Sequence, residues 1–382
     1  MLNFDDFKFA VEAFSGGKRT VLFDDVGFPS VMNVIPMMRY SELGLSGDTV
    51  HPAFIVNNVQ ISEFYISTFL NIIENNRAYS LPNQDPSCYK NHDDFKQICQ
   101  NKGTGWHMET NAEWSAIALL SKKMGTTPHG NNYCGCDINN RFEKAVKSYD
   151  WVLDYNWNSM AYKQVDSNYY HVGRTLTGSG PDSWNHDHTA NGIADMNGNC
   201  WDRPTGLRLL DGEINIIPNN DSAAGVDETR NSSLWKALKP DGTLVAPGTA
   251  GTLKYDGKSA GDSQQTDHSV GGGVRLNTVV QYPQYTGGST EAYYGASGQT
   301  FQTMAAVSGV NVPDLLKALC LYPIDAALDD DYFWFRNYGE RLPLRGGAWH
   351  ISAGAGLFYL FLNYARSLAT LAVGFRSAFI EL

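Results

Sequence analysis

The sequence is short of charge: Asp, Glu, Lys and Arg make up 18% of its 382 residues, below the roughly 25% usual in globular proteins. What charge there is runs acidic, at −11 net. Such a chain lacks the basic face that phosphate neutralisation demands, which argues against nucleic-acid binding. The same sign argues against an anionic membrane surface. Long hydrophobic runs are missing too. The longest, Ala355–Leu362, falls well short of the roughly 18 apolar residues of a membrane span. The opening MLNFDDFKFAVEAF has acids where a secretory leader has basic residues before an apolar stretch. A soluble protein made in a cytoplasm is expected, able to leave by lysis as a virion part or to reach a cell surface. Cysteines are few and scattered, at positions 88, 99, 134, 136, 200 and 320, unlike the dense framework of a small disulfide scaffold. Reduced, mostly buried thiols are expected. The alternative is a metal site built from Cys134-Gly-Cys136 with Cys88 and Cys99.

Aromatics are plentiful at 12%, with 20 Tyr and 9 Trp, and there are 37 Gly. That mix suits a loop-rich α+β fold better than a helical bundle. The clearest helix covers Glu109–Leu120, with Thr110 or Asn111 as its cap, Glu113 as the capping-box acid and Gly125 as its stop. A second helix is predicted over Val312–Leu321 with Pro313 in its first turn, and another is predicted to begin at Phe69–Ile73. Ala53–Val56 and Ile61–Ser67 read as strands. Leu207–Ile217, with Asp211-Gly212 at its centre, reads as a hairpin. No internal repeat and no disordered linker stands out. One elaborated domain over 51–382 is expected, with 1–50 as a lead-in packed on it.

Four local patterns occur in a telling order. Gly105–Trp114 resembles the "RLPTEAEWE" helix entry of formylglycine-generating-enzyme-like domains. Ala194–Trp201 resembles their "DMxGNVWEW" segment, Arg345-Gly-Gly-Ala-Trp349 their "RGGSW", and Gly374-Phe-Arg their "GFR" terminus. Further features, His51–Val56, Trp184–Gly192 and Gly339–Gly347, resemble the variable proteins of diversity-generating retroelements. The resemblance spans nearly the whole chain. It implies a C-type lectin fold, formylglycine-generating-enzyme-like, with large loop insertions. It also implies that residues 342–382 form a variable region shown to diverse ligands.

In that family the retroelement replaces adenines, so template Asn codons (AAY) become NNY, which cannot encode Lys, Glu, Gln, Met or Trp. The stretch between Trp349 and Gly374 contains none of these residues. By resemblance, the variable, ligand-binding positions are His350, Ile351, Gly354, Tyr359, Phe361, Asn363, Tyr364, Leu368, Thr370, Leu371 and Ala372. The fixed frame is Trp349, Ala353, Ala355, Gly356, Leu357, Phe358, Leu360, Leu362, Ala365, Arg366 and Ser367, with Arg345 and Arg376 as scaffold arginines. The residues themselves show a two-residue alternation. Phe358, Leu360 and Leu362 interleave with Tyr359, Phe361 and Asn363, and on a strand the two sets face opposite sides. One set is expected inward and the other in solvent, although a plain buried strand fits the continuous apolar run equally well. Arg345 and Arg376, embedded in apolar sequence, each call for a buried partner.

Other chemistry is thinly supported. A copper oxidase of the formylglycine-generating type would use a C-terminal cysteine pair, yet no cysteine follows Cys320. His186-Asp-His188 lacks a third ligand, and a loop-structuring role is favoured. The Gly271–Gly273 run lacks the Lys of a phosphate loop. Asn219–Asp221 and Asp329–Asp331 carry the oxygen ligands a structural Ca2+ would use, with solvated loops the default. The expectation is therefore a binding protein, not an enzyme, with no cofactor. Its partner would be a protein or cell-surface ligand meeting an aromatic-apolar patch. A virion or adhesin subunit using the same patch for assembly is the alternative.

Overall fold

A computed structural model describes residues 4–148, 163–165, 168–170, 173–259, 272–282 and 296–381. Gly271 and Leu382 lie outside them. The chain is mixed α+β, mostly sheet with few helices. Thr110 caps the helix Asn111–Met124 by accepting from Glu113 N–H, Glu113 reaches back to the Thr110 N–H, and Gly125 closes the helix in the left-handed region at φ 71°. This is the reciprocal capping box that the sequence announces. The helix is buried on nearly every side, and Trp114, Ile117 and Leu119 have no solvent exposure.

A five-stranded sheet runs in the order Arg19–Phe23, Pro29–Pro36, Glu63–Ser67, Ser377–Phe379, Trp106–Met108. Ala378 pairs with Ile66 on one side and His107 on the other. The last strand of the chain is thus an inner strand of the sheet. Residues 19–36 do more than pack on the domain, since they supply two strands of this sheet. An eight-stranded sheet is built around the hairpin Leu207–Leu210/Glu213–Ile216, turned at Asp211 and Gly212, both at positive φ. A four-stranded sheet joins Ala296–Thr300, Tyr332–Arg336, Leu360–Leu362 and Leu344–Arg345.

Some local expectations are corrected. No helix begins at Phe69. A short hairpin, Ile72–Glu74 with Arg77–Tyr79, takes its place. Asn75 and Asn76 adopt φ of 49° and 59°, the pair of left-handed residues a two-residue hairpin turn requires. The helix after Pro313 is only Asp314–Ala318, cut off where Cys320 turns left-handed at φ 49°. Ala53 and Phe54 lie in a 3-10 turn, not a strand, because His51 Nδ1 accepts from Ala53 N–H. Two helices, Phe4–Ser15 and His92–Gln100, the second capped by Asn91, were not foreseen. Among the described residues no helix is long and apolar enough to cross a membrane.

Glu109, just before the capping box, is fully buried, and among the described residues neither carboxylate oxygen has a hydrogen-bond partner. Burial, reinforced by the Asp202 charge, pushes its pKa well above the usual carboxylate value. A raised folded-state pKa adds stability below the unfolded value and loses it as pH rises towards the folded one. Glu109→Gln should therefore gain on the native chain as pH rises from about 5 to 8, by at most about 1.4 kcal/mol per pH unit. Urea unfolding of both proteins at several pH values measures this, and a pH-independent difference would count against a protonated Glu109.

Candidate ligand-binding surface

The C-terminal block is organised by two adjacent parallel strands. Phe333 pairs with Leu360, Trp334 with Phe361 and Phe335 with Leu362. Alternation along both strands divides their side chains between two faces. Phe333, Phe335, Leu360 and Leu362 enter the main core with Tyr255, Phe301 and Phe358. Tyr332, Trp334 and Phe361 turn the other way, onto a second apolar cluster containing Trp201, Trp349 and Tyr359. Asp331 fixes the entry to the second strand: it is buried, and its Oδ2 accepts the Phe358 N–H at 2.6 Å. Gly356 packs so closely against Asp331 that a Cβ there would collide with the carboxylate.

Most of the predicted variable positions reach solvent. Tyr364 is 38% exposed, and His350, Ile351, Gly354, Phe361, Leu368, Thr370 and Leu371 are half-buried. Burial pulls the pKa of His350 down to about 4, which keeps its ring neutral. Ile351, Phe361 and Leu368 all pack on the second cluster, and the Phe361 and Tyr364 rings lie 5.2 Å apart. Tyr359, Asn363 and Ala372, by contrast, are buried, so the expectation that the whole outward set faces solvent is corrected. Trp201 covers Tyr359 edge-on, with ring centroids 4.7 Å apart. Ala372 is docked through its carbonyl, which accepts the Trp201 N–H at 2.8 Å. Asn363 lies between buried Leu362 and Tyr364, whose carbonyl accepts the Leu342 N–H.

The frame beneath is tied by buried arginines. Arg376 Nε donates to Asp202 Oδ2 at 3.1 Å, and its other nitrogens donate to the carbonyls of Ser67, Thr68 and Ala194. Burial lifts Asp202 to about 6 even beside this guanidinium. Arg345 donates from Nε and Nη2 to Asn111 Oδ1 and from Nη2 to the carbonyls of Leu319 and Cys320. Arg366 grips both oxygens of Glu340 at 3.1 Å and also donates to Asp93. Trp349 has no solvent exposure. Of the remaining frame positions, Ala355, Gly356, Leu357, Phe358, Leu360 and Leu362 are buried, whereas Ala353 and Ser367 are exposed and Ala365 is half-buried.

Other candidates take structural places. Cys88 contacts Cys200 rather than the Cys134–Cys136 pair. His186 Nδ1 accepts the Ile193 N–H at 2.8 Å and so shapes its own loop. Asn220 bonds Ala53 and Glu113, and Asp221 accepts the Asn57 N–H. Among the described residues, no group of three or more His, Cys, Asp or Glu side chains is arranged to hold a metal ion.

Sequence reasoning missed Tyr332, Trp334 and Trp201 as parts of this surface. The alternating Tyr332-Phe-Trp-Phe335 run carried the signal for the first two. Trp201 closes the Ala194–Trp201 segment, but nothing in that segment marks its tertiary contact with Tyr359 and Phe361. No protein-family model matches the chain, and no curated protein matches it.

Proposed function

We propose that the chain is a ligand-binding protein that presents its C-terminal block, on a C-type lectin scaffold of the formylglycine-generating-enzyme-like kind, to a protein or cell-surface ligand. The scaffold part is supported by the inner position of the last strand beside Glu63–Ser67 and Trp106–Met108, followed directly by the capped helix. One observation carries the functional part. Eight of the eleven variable positions reach solvent, since only Tyr359, Asn363 and Ala372 are buried, while Arg345, Trp349 and Arg376 below them are fully buried. A face carrying Ile351, Phe361, Tyr364, Leu368 and Leu371, flanked by half-buried Tyr332 and Trp334, suits an apolar protein surface. Rigid aromatic side chains lose little entropy on binding, and contiguous apolar patches mark interaction sites.

The reading implies a genetic signature. Deep sequencing of this coding region in a growing population should find amino-acid differences concentrated at the eleven named codons and sparse in Asn111–Met124. Equal variation in the two regions would contradict it.

A further inference from the structure

Cys88 and Cys200 stand 112 residues apart in sequence, yet their sulfurs lie 3.4 Å apart. Both are free thiols. Cys200 is buried and held in place by Asn199, a left-handed residue whose side chain bonds Thr175. Cys88 is half-buried and lines an open groove with Asp85, Lys90, Arg174 and Leu371. A small solute can therefore reach Cys88 but not Cys200. Arg174 is fixed over the groove by both oxygens of Asp85, with Nε donating to Oδ1 at 2.7 Å. Burial opposes ionisation of Cys88, but the contact with Cys200 and the Arg174 charge outweigh it and bring its pKa below the usual thiol value. Burial pushes Cys200 well up. The pair is asymmetric, with one accessible sulfur that ionises and one protected sulfur behind it.

We propose that Cys88 and Cys200 form a redox-responsive thiol pair that closes to a disulfide on meeting a small-molecule disulfide. The Cys88 thiolate attacks the oxidant RS–SR, whose S–S bond breaks to leave a mixed disulfide and RS−. Cys200 then gives its proton to solvent and attacks Cys88 Sγ, expelling the second RS−. Two protein thiols lose two electrons, and RS–SR is reduced to two RSH. Closure requires the sulfurs to approach from 3.4 Å to about 2.05 Å.

The bond would fasten the loop at residues 370–372 at its base. Tyr89 N–H donates to Thr370 O at 3.0 Å, and Trp201 N–H to Ala372 O at 2.8 Å. These neighbours of the two cysteines hold residues 370–372 between them. Oxidation joins the two holding segments covalently. The inference stands apart from the proposed binding role, since it concerns only the thiols and the loop they flank.

The test treats the reduced full-length chain with oxidised glutathione. Free thiols should fall by two from the six present, the mass should fall by two hydrogens, and peptide mapping should find a Cys88–Cys200 cross-link that dithiothreitol reverses. Cys200→Ser should stall with glutathione on Cys88, and Cys88→Ser should retain its remaining thiols. Hydrogen exchange over residues 368–373 should slow in the oxidised wild type. Six surviving thiols, a cross-link between other cysteines, or a wild type stalled as the mixed disulfide would each overturn the pair. A correct cross-link with unchanged exchange would overturn the fastening of the loop.

Discussion

Arg376→Leu should cost about 3–5 kcal/mol of stability at pH 8, the loss expected when one member of a buried ion pair is removed. The side chain has no solvent exposure, and its removal leaves Asp202 charged and buried, with the carbonyls of Ser67, Thr68 and Ala194 losing a donor. The loss should depend on pH with a defined sign. Asp202 already titrates near 6 beside the arginine. Without that partner its folded-state pKa rises further, and a group raised in the folded state adds stability at low pH that disappears as pH rises. The deficit of Arg376→Leu should therefore be largest at pH 8 and shrink towards pH 5. Urea unfolding at both pH values checks this. A deficit under about 1 kcal/mol, or one that does not change with pH, would show that the pair does not hold the frame. Adding Asp202→Asn should recover part of the loss, because neighbours that share an interaction are not additive.

Within the C-terminal block, substitutions should fall into two classes. Trp349→Ala should cost about 3–5 kcal/mol, as large aromatic deletions in a core do. The ring is fully buried in the second cluster, and Gly173 approaches it too closely for a Cβ on Gly173 to be accommodated, so little can relax into the space. Tyr364→Ser should change stability by no more than about 0.5 kcal/mol, because the residue is 38% exposed. Thermal or urea unfolding separates the two cases. Similar costs at both positions would mean that the block is ordinary core throughout.

Much of the scaffold was legible because its signals are local. The helix at Asn111–Met124 is written in Thr110, Glu113 and Gly125, three residues with distinct backbone duties. The hairpin at Asp211-Gly212 is marked in the same way. The buried arginines were legible because a guanidinium amid apolar sequence must find acceptors, although their identities were not: Asn111 is 234 residues from Arg345. The misreadings have physical causes as well. Where a helix was expected from Phe69, Asn75-Asn76 makes a hairpin turn without Gly, because Asn tolerates the left-handed region. The exposure of the block was half legible. Alternation separates Leu360 and Leu362 from Phe361, but it cannot reveal that Trp201, 158 residues before Tyr359, lies over Tyr359. Which side of a strand meets solvent depends on what packs against it, and a single sequence does not carry that information.

The central claim is that residues 350–372 form a replaceable face on a fixed frame. The direct measurement is a pair of displayed libraries sorted for protease resistance. One randomises Ile351, Gly354, Phe361, Tyr364, Leu368, Thr370 and Leu371, and the other an equal number of frame positions including Trp349, Phe358, Leu360 and Leu362. Most members of the first library should remain folded, and most of the second should be lost. If both libraries lose folded members alike, the block is core and the account of a binding surface is wrong.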